Sequence, residues 1–153
     1  MDTPLRRRRT ARTTKLLLGL FSVMSAWSCG SAEEPHPYTK AVGAADEGST
    51  IQTLRTISSA QGQYRASTGA YGSFSALNKA GMLDMRFAAD APTLKGYRFT
   101  MDVSSPQAFT VNADPEATES QPAIGSRHFF LDPNGVIRVN GQQPAGPGDP
   151  PLQ

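Results

Sequence analysis

The chain has 153 residues, 38% hydrophobic and 18% charged, with 14 Gly, 12 Pro, one Cys and two His. That length holds one compact domain with tails; a single cysteine excludes an intrachain disulfide framework and a zinc site built on several thiolates, and two histidines argue against a multi-histidine metal centre. The net charge of +2 divides unevenly: residues 1–28 carry six of the 15 basic residues and one of the 13 acidic ones, +5, leaving nine bases against twelve acids, −3. The basic balance therefore belongs to a leader and not to a nucleic-acid-binding body.

Residues 6–15 form a basic stretch (Arg6, Arg7, Arg8, Arg9, Arg12, Lys15), followed by an uncharged apolar run over 16–27. A helix of that run spans ~18 Å at ~1.5 Å per residue, short of the ~30 Å hydrocarbon layer, so it suits the apolar region of a signal peptide rather than a spanning anchor. The lone cysteine follows at once, in Ala26-Trp27-Ser28-Cys29-Gly30. This resembles a bacterial lipoprotein signal: small residues at −3 and −1, then the cysteine to be acylated. Trp27 at −2 and Ala26 in place of Leu at −3 depart from the usual pattern. Cleavage before Cys29 and diacylation of its sulfur would anchor the chain stably, at ~0.8 kcal/mol per buried CH₂. An ordinary secretory signal cut near Ala32, a retained anchor and a twin-arginine signal are the alternatives, the last disfavoured by the distance from the arginines to Leu16. Gly30 lacks the Asp that holds many lipoproteins at the inner membrane, which favours the outer one, with the domain in the periplasm or at the cell surface.

Residues 29–38 are small, acidic and broken by Pro35 and Pro37, a tether between lipid and domain. His36 lies in that tether as a solvated spacer residue. Residues 141–153 hold four prolines, three glycines and no aromatic residue, a composition that predicts a disordered tail. Residues 39–140 remain as the folded domain.

The domain opens with a helix. Ser49 and Gln52 have capping-box spacing; Leu54, Ile57, Tyr64 and Thr68 line one face, interrupted by polar Gln61; Gly69 is a natural stop. The alanine-rich residues 39–45 extend the helix backward if Ser49 is interior, against a cost of ~1 kcal/mol each at Gly43 and Gly48. Residues 70–83 read as a turn and a short helix with Phe74, Leu77 and Leu83 inward, and 84–95 as loop. From Gly96 the period becomes two: Tyr97, Phe99, Met101 and Val103 face inward on a first strand, Phe109, Val111 and Ala113 on a second, Phe129 and Leu131 on a third, Ile137 and Val139 on a fourth. Residues 114–125 form a polar loop, and Asp132-Pro133-Asn134-Gly135 is a strong turn. The sum is an α+β domain, an N-terminal helix packed on a four-stranded antiparallel meander.

In their order, Thr50-Ile51-Gln52-Thr53-Leu54-Arg55-Thr56-Ile57 to Tyr64, Gly96-Tyr97-Arg98-Phe99, Val111-Asn112-Ala113-Asp114-Pro115, and Arg127-His128-Phe129-Phe130 to Gly135-Val136-Ile137-Arg138 resemble the globular part of type IV pilin-like and pseudopilin-like proteins. The resemblance covers about 90 residues and implies a long helix laid on an antiparallel sheet. It implies no filament assembly, because the Gly-Phe-Thr-Leu-Ile-Glu type cleavage motif and the long apolar helix of prepilins are both missing.

No Gly-x-Ser-x-Gly, Walker, His-Glu-x-x-His or Gly-x-Gly-x-x-Gly motif occurs, so no catalytic residue is assigned. Asp114, Glu116 and Glu119 cluster in one loop; some pseudopilins hold calcium in a sheet-side loop, which makes these three a calcium candidate and a small-ligand or calcium-binding module the alternative function. Pro115 and Ala117 interrupt the cluster, against calcium's demand for six to eight oxygens in a tight loop. His128, beside Arg127 and Phe129, reads as a sheet-face histidine, and the inward aromatics as core. The reading is a non-enzymatic cell-envelope lipoprotein, held to a membrane through Cys29, with an envelope protein as partner, no nucleic acid, and a role in interaction or scaffolding, near a secretion or pilus system.

Overall fold

In the computed structural model, the structure describes residues 37–116 and 125–153. They form one long helix followed by an antiparallel sheet, an α+β arrangement. Helix α1, Pro37–Thr68, has 32 residues and at ~1.5 Å per residue is ~48 Å long. It takes the backward extension, with Ser49 inside the helix and not at its cap. The threonines that follow it bond back to the carbonyl four residues earlier, as helix-interior hydroxyls do: Thr50 Oγ1 to Asp46 O at 2.9 Å and Thr53 Oγ1 to Ser49 O at 2.9 Å. Gly69 ends the helix with φ of +83°, and its N–H donates to Arg65 O.

Helix α2, Phe74–Lys79, is capped by Ser73, whose hydroxyl accepts from Ala76 N–H. The stretch expected as loop over 84–95 instead holds a 3₁₀ turn, Met85–Phe87, capped by Asp84, and a two-residue strand β1, Thr93–Leu94. Lys95 and Gly96 follow, both at positive φ, a tight hairpin connection into β2, Tyr97–Ser105. Strands β3, Ala108–Pro115, β4, His128–Leu131, and β5, Ile137–Asn140, complete a sheet of order β1-β2-β3-β4-β5. The sheet thus has five strands where four were expected; β1 is too short for any period-two pattern to register.

The register aligns the apolar residues layer by layer. Phe99 lies opposite Ala113 and Ala113 opposite Phe129, which faces Val139; Met101 lies opposite Val111, Val111 opposite Leu131, which faces Ile137. This inner face packs on Leu54 and Ile57 of α1, on Phe74 and Leu77 of α2, and on Leu83 and Phe87. Phe87 is 3% exposed and stacks between Phe74 and Phe99, ring centroids at 5.4 and 6.4 Å. Aromatic pairs of this kind add ~0.5–1.5 kcal/mol beyond burial.

Gln61, the polar break in the α1 stripe, is fully buried. Its side-chain amide imitates a strand neighbour: Nε2 donates to Gly72 O at 2.6 Å, and Gly72 N–H donates to Oε1 at 3.0 Å. A Cβ at residue 72 would sit 2.7 Å from the Tyr64 ring, so only glycine brings the backbone this close to the helix.

Residues 141–153, expected to be disordered, lie against the sheet. Val139 N–H donates to Pro150 O at 3.1 Å and Leu152 N–H to Ile137 O at 2.7 Å, and Arg138 forms an isolated antiparallel bridge with Pro151. Ala145 is buried and its carbonyl accepts from Asn112 Nδ2 at 2.8 Å. The low apolar content is offset by backbone and amide hydrogen bonds to the strand edge, a term that composition does not carry.

Candidate functional site

Cys29, the residue on which the membrane reading turns, lies outside the described residues, as do the signal segment and the tether up to residue 36. Helix α1 begins eight residues beyond it, and Tyr38 in its first turn is 77% exposed. No helix among the described residues is long and apolar enough to cross a membrane.

Of the calcium candidates, Asp114 and Glu116 are described and Glu119 is not. Asp114 stands on the outer face of β3 and its Oδ1 lies 2.6 Å from His128 Nδ1 across the β3–β4 pair. Glu116 turns to β1 and β2: Thr93 Oγ1 donates to its Oε2 at 2.8 Å and Arg98 Nε to the same oxygen at 3.0 Å. These two hydrogen bonds hold the Glu116 carboxyl below its usual pKa range. Each carboxylate therefore has a partner of its own, and a cation at this loop would compete with Arg98 for Glu116. Among the described residues no group of three or more His, Cys, Asp and Glu side chains is arranged to hold a metal. His128 is a sheet-face residue whose ring is oriented by a carboxylate.

The most connected polar site was not legible in the sequence. Glu47, on α1 and only 8% exposed, receives Ser126 N–H at 3.2 Å and Arg127 N–H at 3.3 Å on Oε1, and Arg127 Nε at 2.7 Å on Oε2. One carboxylate thus caps two backbone donors and pairs with a guanidinium, fastening the entry to β4 onto the helix 80 residues away. Tyr97 completes the corner: its hydroxyl donates to Arg127 O at 3.1 Å, and a Cβ at Gly125 would collide with that hydroxyl. Burial pushes the Tyr97 phenol above its ordinary pKa, and the Glu47 carboxylate adds to the shift. Only the separation of Glu47 and Arg127 along the chain hides this pair; a lone glutamate on an alanine-rich turn is the sole local signal.

A shallow cleft of about 330 Å³ runs between α1 and the 82–87 segment, walled by Ser49, Gln52, Thr53 and Thr56 on one side and by Met82, Leu83, Asp84, Arg86 and Phe87 on the other. Thr53 and Thr56 spend their hydroxyl hydrogens on α1 carbonyls. Asp84 takes hydrogen bonds from the Arg86 side chain and N–H, which lower its pKa. Thr53, Thr56, Asp84 and Arg86 thus find their partners within the cleft walls.

No protein-family model, curated protein or solved structure matches this chain.

Proposed function

We propose that the chain is a cell-envelope lipoprotein, acylated at Cys29, that carries a pilin-like domain on a short tether and acts by interaction or scaffolding rather than by catalysis. The observation that carries the reading is the order of the first 29 residues: a basic stretch, an apolar run too short to span a bilayer, and then the chain's one cysteine. The pilin-like part rests on the motifs quoted above and agrees with a long helix followed by an antiparallel meander. Outer-membrane placement rests on Gly30.

The functional atom on this reading is the Cys29 sulfur. One acyl chain gives marginal, reversible membrane binding and two give stable attachment, so processing at Cys29 decides whether the domain stays at the surface. Residues 30–36 then space the lipid from α1. The test is fractionation of cells producing the natural chain or Cys29→Ser. The natural chain is expected in the membrane pellet, released by detergent but not by salt, and the variant in the soluble or unprocessed fraction. Equal membrane association of both would refute the lipid tether.

A further inference from the structure

The edge of β5 carries the one isolated β-bridge among the described residues, Arg138 with Pro151. Residues 150–152 lie there as a clasp, joined by two main-chain hydrogen bonds, Val139 N–H to Pro150 O and Leu152 N–H to Ile137 O. Asp149 fixes its register. The Asp149 carbonyl accepts from Arg138 Nη1 at 2.9 Å, its Oδ1 from Asn140 Nδ2 at 2.9 Å, and its Oδ2 from Gly146 N–H at 2.8 Å. Leu152 packs against the core. Pro150 and Leu152 turn their main-chain groups to β5, and Pro151, which faces outward, has no N–H, so the outer side of the clasp lacks a donor there.

Three features make this contact exchangeable. Two ladder hydrogen bonds are few beside those of β3 and β4. The connection over 141–148 has no helix or strand, and it is held to the sheet by side-chain hydrogen bonds, Asn112 Nδ2 to Ala145 O and the amides of residues 142 and 143 to Asn140 Oδ1, so the clasp leaves by giving up these bonds without breaking a strand pair. Arg138, whose Nη1 donates to the Asp149 carbonyl, has its Nε buried without a hydrogen-bond partner, a cost that the closed state bears.

We propose that the β5 edge is a strand-acceptor site gated by the chain's own clasp, and that its occupant in trans is residues 149–152 of a second copy of this chain. Every copy carries both halves of the contact: the acceptor in Ile137, Arg138 and Val139, and the donor in Asp-Pro-Pro-Leu. Exchange between copies replaces each cis hydrogen bond by an identical one in trans, so its balance is set by local concentration and linker reach. Strand addition at a sheet edge draws affinity from main-chain hydrogen bonds and specificity from side chains, here Asp149 through its hydrogen bonds and Leu152 through its packing on the core. The proposal rests on the interaction role given above and names its partner; lateral confinement by a lipid would raise the concentration that drives exchange.

The test uses the full chain in detergent and a fluorescent peptide with the sequence of residues 145–153. Asp149→Ala in the chain loosens the clasp and leaves the acceptor residues untouched. Hydrogen exchange at the Val139 amide is expected to quicken at least tenfold in this variant, with the Phe129 amide unchanged. The variant chain is expected to bind the peptide at least tenfold more tightly than the natural chain, and a peptide carrying the same Asp149→Ala change is expected to lose that gain. Unchanged exchange at Val139, equal binding by both chains, or no binding by the opened chain overturns the proposal. Because the readout needs no membrane, its failure is separate from a failure of acylation at Cys29.

Discussion

Replacing Gln61 by Leu isolates the amide that ties α1 to the 70–73 segment. Leucine has nearly the volume of glutamine and keeps the helix, but it removes the donor to Gly72 O and the acceptor for Gly72 N–H. Both Gly72 groups are then buried without partners, since Gly72 is itself buried. Each such group costs ~1–3 kcal/mol, for a gross loss of ~2–6 kcal/mol. The apolar side chain returns part of this, up to ~1.5–3 kcal/mol for full burial of a leucine, so the net loss is expected near ~2 kcal/mol. For a folded body of this size that corresponds to a fall of ~6–10 °C in Tm. Thermal and urea unfolding followed by circular dichroism at 222 nm measure it, with an unchanged urea slope as the sign that the native state keeps its extent. A Gln61→Leu chain within ~0.5 kcal/mol of the natural one, inside the usual range of surface substitutions, would show that the amide pair does not hold this segment.

Glu47→Gln removes the charge opposite Arg127 and replaces the oxygen that accepts from its guanidinium by an NH₂, while the remaining amide oxygen still takes the N–H groups of residues 126 and 127. Because the Arg127 side chain is 44% exposed, the loss is set below that of a fully buried pair, at ~1–2 kcal/mol, read from the urea midpoint. The buried Tyr97 phenol gives the fold an alkaline limit. Its pKa is raised in the folded state, so its contribution is complete below the unfolded value near ~10 and is lost as pH rises beyond that. The urea midpoint is therefore expected to fall between pH 9 and pH 11 (about one unit either side of that value), and Tyr97→Phe to flatten the fall. An equally steep decline in the variant would assign it to other groups.

Much of the sheet was legible because its chemistry is local. Tyr97, Phe99, Val111 and Ala113 alternate with polar residues, Phe129 and Leu131 flank Phe130, and all six face the core as the period requires. Gly69 and the Asp132–Gly135 turn were legible for the same reason: Asp132 Oδ1 accepts from Asn134 and Val136 N–H, and Gly135 has φ of +80°. The rest depends on partners distant in the chain. Ser49 looked like a cap because hydroxyls favour helix ends, yet α1 continues back to Pro37 and Glu47 anchors it to Arg127. Gln61 looked like a flaw in the apolar face until Gly72 supplied both of its partners. Phe130 alternates outward and is nevertheless buried, on the face where Asn112, its register partner, holds the Ala145 carbonyl. The clasp escaped a reading of composition because apolar content measures core burial and not hydrogen bonds to a strand edge. At the loop after β3, the spacing of Asp114 and Glu116 did not reveal His128 and Arg98, which engage them.

Intact-mass spectrometry of the chain extracted from membranes reaches the central claim most directly. The account predicts a polypeptide that starts at Cys29 and carries the added mass of a diacylglyceryl group on the sulfur, with or without a further acyl chain on the new amino group. A mature chain that starts downstream of residue 29, or an unmodified Cys29, would contradict it.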